Sequence, residues 1–424
     1  MSLNVVVYED NQFRAFYPLT YTRPVFTLRA GIVPLHLRLK RFFGNISVSC
    51  AARHDIAPFL SETVRDLPVN IVKRGDGDLF FVNGRLRDPG NLAQLIDKCT
   101  LNTVFTTDDG IAGVFLVGNM LKNAPSIATP EDFVKLVSDE WGDFTPVQTT
   151  ATLYRGLWDI MADIEGEIDA DYKWLSPTFG AVKDVKIHDG SWLIHREQIF
   201  LGEMVEVMPG AVIDATKGPV YVGINSRVES HAAIYGPCVI GANSVILAGK
   251  IAGSSIGHTC RVGGEVEESI FHAYVNKYHA GFIGHSYVGQ WVNFGAMTTN
   301  SDLKNNYSTI RVTVNGDSID TGSIKVGSFI GDHTKFGIGT LLNTGIAIGP
   351  ACNIFGGILL TDHEVPPFQW GATGRYHQYQ FDKAMTSISA ACDRRNHQLS
   401  AHEKELLRKI SENSVSDKGI IQWP

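Results

Sequence analysis

Three things are scarce in this chain of 424 residues. No stretch approaches the ~18 consecutive apolar residues of a membrane span, and the N-terminus lacks a basic segment followed by a long apolar run and a cleavage site. Neither membrane insertion nor export is expected, and a cytoplasmic location is. Positive charge is in deficit: 44 acidic against 37 Lys+Arg side chains leave a formal net charge of −7. That argues against a general binder of nucleic acid or of anionic membranes, either of which needs a basic surface. Cysteine is sparse and dispersed. Cys50, Cys99, Cys238, Cys260, Cys352 and Cys392 form no C-x-x-C pair, which excludes a zinc knuckle or a dithiol redox motif and leaves reduced, buried thiols as the expectation.

What is present is an ordinary globular balance, 44% apolar and 19% charged, at a length that suggests two or three domains. Glycine is in excess, at 42 residues, and the excess is periodic. From Ile324 an apolar residue recurs every six positions, through Ile330, Phe336, Leu342, Ile348, Ile354 and Leu360, with Gly331, Gly337 and Gly349 directly following three of them. An earlier run has the same step through Val222, Val228, Ile234, Ile240 and Ile246, and Ile256-Gly257, Val262-Gly263, Val288-Gly289 and Phe294-Gly295 link the two. A six-residue step fits neither a helical nor a heptad period; it is the signature of a hexapeptide β-helix, with three hexads to a coil. The apolar residue of each hexad points into a narrow prism, and a small residue after it lets the corner turn tightly. Residues 264–281 and 298–323 break the rhythm and are expected to be excursions, the places where a regular scaffold carries chemistry.

The first 160 or so residues read as short β runs (NVVVYE, NISVSC, LFFVNG, GVFLVG) alternating with helical stretches, an α/β pattern with a largely parallel sheet. Thr129, Pro130 and Asp132 mark the start of a helix in TPEDFVKLV, and a connecting helix is expected around YRGLWDIMADI. After Leu360, Phe381, Ala384, Met385, Ile388, Ala391 and Cys392 fall at helical spacing, and Ser400 with Glu403 opens a second helix through a capping box. The apolar stripe of these tail helices has to cover either the open end of the β-helix or a neighbouring subunit. The expected division is 1–165, 166–367 and 368–424: an α/β N-terminal domain plus a left-handed parallel β-helix of hexapeptide repeats, with a C-terminal helical tail.

Chemistry concentrates in NKYHAGFIGHSYVGQWVNFGAMTTNSDLKNNYS, residues 276–308, where two histidines, several amides and glycines interrupt the repeat. Here the chain resembles the acetyltransferase half of the GlmU family of bifunctional bacterial enzymes, N-acetylglucosamine-1-phosphate uridylyltransferases that are also glucosamine-1-phosphate N-acetyltransferases. The likeness runs over about residues 200–365 and is sharpest at N-x-x-H-x-x-x-x-G, V-N-x-G-A and T-x-N. It implies a catalytic histidine at His279, substrate contacts at Asn293, Asn300 and the adjoining Asp302, and an acetyl-CoA contact at Ala296. A neutral imidazole suits the task, because an amine attacking a thioester must lose a proton near neutral pH. A loop histidine and stacked corner amides are the plain alternatives at these positions. Two departures stand out: Ser301 replaces the family's tyrosine, and Glu267 falls near a basic clamp residue that Arg261 or Lys277 would have to replace.

The N-terminal part lacks the G-x-G-T-R loop and later P-K of that family's nucleotidyltransferases. In their place stands YPLTYTRPVFTLRAGI, which with VNGRLRD and LWDI resembles a divergent group of sugar-nucleotidyltransferase-like proteins sharing the same β-helix. Arg23, Arg29 and Asn83 become candidates for nucleotide or phosphate binding, with ordinary salt bridging as the alternative for the arginines. Nucleotidyl transfer needs carboxylates to hold Mg²⁺ against a triphosphate. The matching place holds Arg85, so Asp88, Asp76 or Asp10 would have to serve, Asp88 being preferred.

The resemblance therefore implies acetyl-CoA-dependent N-acetylation of an amino-sugar 1-phosphate coupled to nucleotidyl transfer from an NTP, leading to a sugar nucleotide of the UDP-N-acetylglucosamine kind. It implies a homotrimer, with neither nucleic acid nor membrane as partner. Two alternatives stay open. The N-terminal domain is a nucleotide- or sugar-binding module without catalysis, or His258, His272, His279 and His285 gather a zinc ion as in carbon-dioxide-hydrating β-helices.

Overall fold

The computed structural model describes residues 3–71, 77–118 and 144–414. The helix expected over TPEDFVKLV, with Thr129, Pro130 and Asp132, lies outside the described residues, as does Asp76.

The four β runs read in the N-terminal sequence all form strands of one six-stranded sheet, in the order Ile46–Ala51, Leu3–Tyr8, Leu79–Asn83, Gly110–Leu116, Thr103–Thr107, Thr145–Gln148. The first three strands are mutually parallel, but Gly110–Leu116 runs antiparallel to both of its neighbours, so the sheet is mixed where a largely parallel one was expected. The reason is local: Thr107 and Gly110 close a tight hairpin, and a hairpin can only join antiparallel strands. The connecting segment forms two helices, Leu157–Ala162 and Ile164–Leu175.

From Lys186 onwards the chain winds as a parallel β-helix. One face is a nine-stranded parallel sheet running from Ile199–Leu201 to Glu364–Val365. The hexad residues do what their period requires: Val222, Val228, Ile234, Ile240, Ile246, Ile330, Ile348 and Ile354 are buried and pack together as one interior column. Two expectations are corrected. Ile324 is exposed and lies outside the column, because the chain is still leaving an excursion there. Residues 264–281 are not an excursion but a coil of irregular spacing. Strand Arg261–Glu267 bends round a corner after a register shift in its pairing, and Phe271 and Lys277 continue the inward rows. The second interruption does leave the coil. It forms a hairpin, Arg311–Val314 with Asp317–Asp320, whose Ile310, Val312 and Val314 are buried.

The nine-stranded face carries a second apolar row. Val239, Ile270, Tyr287, Phe329 and Ala347 each precede an inward residue and so point outwards, yet all are buried in one cluster with the N-terminal core and the tail helices. The N-terminal domain docks on this row. The tail, Phe381–Asp393 and Ala401–Asn413, does not cover the open end of the β-helix. It folds back along the β-helix, and its second helix packs on Ala57–Thr63 of the N-terminal domain. Half of the capping box is formed: Ser400 Oγ accepts from the Glu403 amide at 3.0 Å, while the Glu403 carboxylate turns to His333 at 3.3 Å instead of back to the Ser400 amide.

Candidate functional site

The segment 276–302 sits at one corner of the β-helix. Asn276-Lys277 is a two-residue strand whose neighbour in the next coil is Asn293-Phe294, followed by Lys335-Phe336. Alternation along a strand places Asn276, Asn293 and Lys335 in one outward row. The turn after Lys277 carries His279, whose side chain is exposed and edge-on to the Tyr278 ring at 5.3 Å. Directly above it lies the turn carrying Ala296: the Met297 amide donates to the Ala280 carbonyl at 2.8 Å. The structure thus brings His279, Asn293 and Ala296 to adjacent coils of one edge.

Lys277 is what fixes that turn. It occupies an inward position, is only 2% exposed, and its Nζ donates to the carbonyls of Gly263 (2.6 Å), Gly281 (2.7 Å) and His279 (3.2 Å). Burial pulls its ammonium down to about 8. With its donors spent on backbone, Lys277 does not replace the missing sugar-phosphate clamp. Arg261 stands in the outward row but gives Nη1 to the carbonyls of Asn243 and Cys260, both at 3.1 Å.

The amides separate. Asn293 accepts from Asn276 Nδ2 at 2.8 Å, a stacked pair beside a cavity of about 150 Å³ that Tyr274, Trp291, Lys335, Arg394 and Arg395 also line. The turn after the first tail helix supplies the two arginines, so these cations were invisible in the motif that holds Asn293. Asn300 is buried and does the work of a peptide group, its Oδ1 accepting from Gly284 N at 2.8 Å and its Nδ2 donating to Gly284 O at 3.0 Å. It closes the ladder where the chain departs into the hairpin excursion, and its amide is committed to backbone. Asp302 accepts from His285 Nδ1 at 2.7 Å, and His285 Nε2 reaches Glu268 at 3.1 Å.

The four histidines weighed for zinc do not converge. His285 is held by two carboxylates, His279 is exposed on its own edge, and His258 and His272 line a cavity beneath the N-terminal domain. Among the described residues no group of three or more His, Cys, Asp or Glu could hold a metal ion.

In the N-terminal domain, the carboxyl ends of the parallel strands Leu3–Tyr8 and Leu79–Asn83 present Asp10, Asn83 and Arg85, the end of an α/β sheet where ligands bind. Arg85 meets Asp10 through Nε and through Nη2 (2.6 Å), and gives Nη1 to the Tyr154 carbonyl at 2.7 Å. Asn83 Nδ2 donates to Asp10 at 2.9 Å. A guanidinium thus takes the carboxylate that a cation would need. Asp88 is elsewhere, in a cleft of about 560 Å³ whose other carboxylates, Asp163 and Glu167, are ion-paired with Arg87 and Arg41. Asp88 itself accepts from the Gly90 amide. These residues do not fit a Mg²⁺ site. Arg23 and Arg29 are also separate from Asn83: both line the cavity between this domain and the β-helix, where Arg23 is ion-paired with Asp332.

Residues 5–178 match a family model described as sugar nucleotidyl transferase. A curated relative from Sulfurisphaera tokodaii, described as a bifunctional sugar-1-phosphate nucleotidylyltransferase/acetyltransferase, is 33% identical over 96 residues, which is 23% of this chain and 24% of that protein. The match therefore spans about a quarter of that relative's length. Two solved UDP-N-acetylglucosamine acyltransferases are similar to this chain. The Francisella novicida structure has 12% identity and a TM-score of 0.26, covering 57% of this chain and 95% of that one. The Arabidopsis structure has 11% identity and a TM-score of 0.20, covering 56% and 83%. In architecture the chain is a nucleotidyltransferase-like α/β domain joined to a parallel β-helix with a helical tail.

Proposed function

We propose that the protein is a sugar-nucleotide biosynthesis enzyme whose β-helix transfers an acetyl group from acetyl-CoA to the amine of an amino-sugar 1-phosphate of the glucosamine 1-phosphate kind. The observation that carries this reading is the His279 turn, held rigid from inside by Lys277 and stacked on the turn of Ala296. In the reaction, the amine nitrogen attacks the thioester carbonyl and forms the C–N bond, its proton passes to the imidazole of His279, the C–S bond breaks, and the imidazolium returns the proton to sulfur so that coenzyme A leaves as the thiol. Asn293 and the cations around it suit the polar acceptor.

A homotrimer fits the same edge. Tyr278, Met297, Ile338, Leu341 and Ile358 are exposed there, between 38% and 75%, a stripe of apolar surface that a neighbouring subunit would cover. The N-terminal domain, by its family match, would take an NTP and the sugar 1-phosphate. For that half a second reading, a binding module without catalysis, is favoured by the Arg85–Asp10 pair.

The test is coenzyme A release from acetyl-CoA with glucosamine 1-phosphate as acceptor, on the wild type and on His279→Ala. Release lost in the variant supports His279 as the base. Equal release from both proteins, or none from the wild type, overturns the assignment. Pyrophosphate release from an NTP with the N-acetylated sugar 1-phosphate separates the two readings of the N-terminal domain.

A further inference from the structure

We propose that the cavity between the N-terminal domain and the β-helix is a binding site for a phosphate group, either free or carried on a single sugar ring, with Arg23 and Arg29 as its cations and His272 as a further polar contact. The inference rests on the phosphate-binding reading of the two arginines and deepens it, because His258, His272 and Gln290 of the β-helix complete the wall.

The cavity is built rather than left over. Segment 17–34 crosses the outward face of the β-helix and is pinned to it on both sides of the arginines. Tyr287 Oη accepts from the Arg29 amide at 2.8 Å and donates to the Arg29 carbonyl at 3.0 Å, Ser255 Oγ donates to the Gly31 carbonyl at 2.7 Å, and Thr22 Oγ1 donates to Asp332 at 2.7 Å. About 320 Å³ remains between these pins, lined by Arg23, Arg29, His36, His258, His272 and Gln290 among others. That volume lies at the lower end of small-molecule pockets, roughly 300–1,000 Å³, and suits a phosphate or one phosphorylated sugar ring better than a whole sugar nucleotide.

The charges in the wall do not balance. Asp332 is the carboxylate paired with Arg23, and it is fully committed: Oδ2 holds Arg23 Nη2 and Thr22, and Oδ1 accepts from the Gln290 amide at 2.7 Å; Asp171, whose charge reaches Arg29, is itself ion-paired with Arg41 and accepts from the Ile32 amide. Arg23 is more than nine-tenths buried, yet its Nη1 has no hydrogen-bond partner. Arg29 gives Nη1 to the Ile32 carbonyl, and no carboxylate among the described residues lies within ion-pair distance of it. His272 Nδ1 is likewise buried and unpartnered. Burial first, and the nearby arginines second, hold His272 well below its ordinary pKa, so it is neutral and carries one N–H. A guanidinium taken out of water without its full set of partners is unfavourable. A phosphate supplies that charge, and it accepts from several N–H groups at once, as the forked guanidinium favours. Because both domains line the cavity, bound phosphate would tighten their docking.

The test is isothermal titration calorimetry on the full chain with inorganic phosphate and, separately, with glucose 1-phosphate, which has no amine to acetylate. The wild type is expected to bind both, and Arg29→Gln and His272→Phe to weaken that site at least tenfold, with circular dichroism confirming that each variant is folded. Binding of inorganic phosphate alone, with the same dependence on Arg29, supports the site and identifies its ligand as the free anion. No saturable binding of either probe, or unchanged affinity and stoichiometry in both variants, overturns the proposal. Calorimetry reads binding without turnover, so failure of the acetyltransferase or nucleotidyltransferase assay leaves this result independent.

Discussion

The His285 clamp offers the most direct check on the electrostatics of the excursion. Both ring nitrogens of His285 face carboxylates, Asp302 at Nδ1 and Glu268 at Nε2, so the ring is a donor on both sides and therefore an imidazolium. Burial acts to lower its pKa, but the hydrogen bonds and charges of Asp302 and Glu268 outweigh that and raise it from 6.5 to about 9. Because the folded state holds this proton more tightly than the unfolded state, the extra stability is fully present below pH 6.5 and is lost as pH rises through about 9. The full rise corresponds to roughly 3 kcal/mol, and solvent screening of the part-exposed Glu268 trims it to about 2. The perturbation to make is His285→Asn. Residue 285 has φ of +47°, a left-handed conformation that asparagine also tolerates, so the substitution removes the charge without straining the backbone. Urea unfolding at pH 6 and pH 9.5 should show the wild type losing about 2 kcal/mol more than the variant over that interval. Identical pH dependence in the two proteins would refute the reasoning.

Two further substitutions separate structural from chemical roles. Asn300→Ala should lower stability by about 1–3 kcal/mol, because it strips the N–H of buried Gly284 of its partner and leaves the Gly284 carbonyl only Ser286 Oγ; a raised KM for the acceptor at unchanged stability would instead make Asn300 a substrate contact. Lys277→Met keeps the length of the side chain but frees the His279 and Gly263 carbonyls, so kcat for coenzyme A release should fall at least tenfold while KM for acetyl-CoA changes little. Unchanged kcat in a folded variant would show that the turn needs no support from inside.

The interior of the β-helix was legible because its signal is local and repeated. Each hexad fixes one inward apolar residue, and Ile330, Phe336, Leu342, Ile348, Ile354 and Leu360 all reach the interior column. The rhythm failed where a corner shifts register: residues 264–281 look irregular in sequence yet remain a coil, and Lys277 takes an inward place that its charge argued against. The tail helices were legible as helices for the same reason of local spacing. What they cover was not, since an apolar stripe states only that a partner exists.

The candidate site divides along the same line. His279, Asn293 and Ala296 share one stretch of chain and one edge, so motif spacing brought them together. Lys335, Arg394 and Arg395 join Asn293 only through packing of the tail. The clearest trace of the docking surface was already present in the pairs YV at 287–288, IF at 270–271 and FI at 329–330. Two adjacent apolar residues in a strand point to opposite faces, so the second of each pair fills the prism and the first demands a cover.

The sequence by itself therefore determined the six-residue winding, the inward column, the caps and the chemical types gathered at 276–302, because each depends on neighbours a few residues away. Only the tertiary structure decided what covers the second apolar row, that Arg85 takes up the Asp10 carboxylate, and that Arg23 meets Asp332 from 309 positions away. Those pairings depend on how two separately encoded surfaces close on each other, and no local period carries that information.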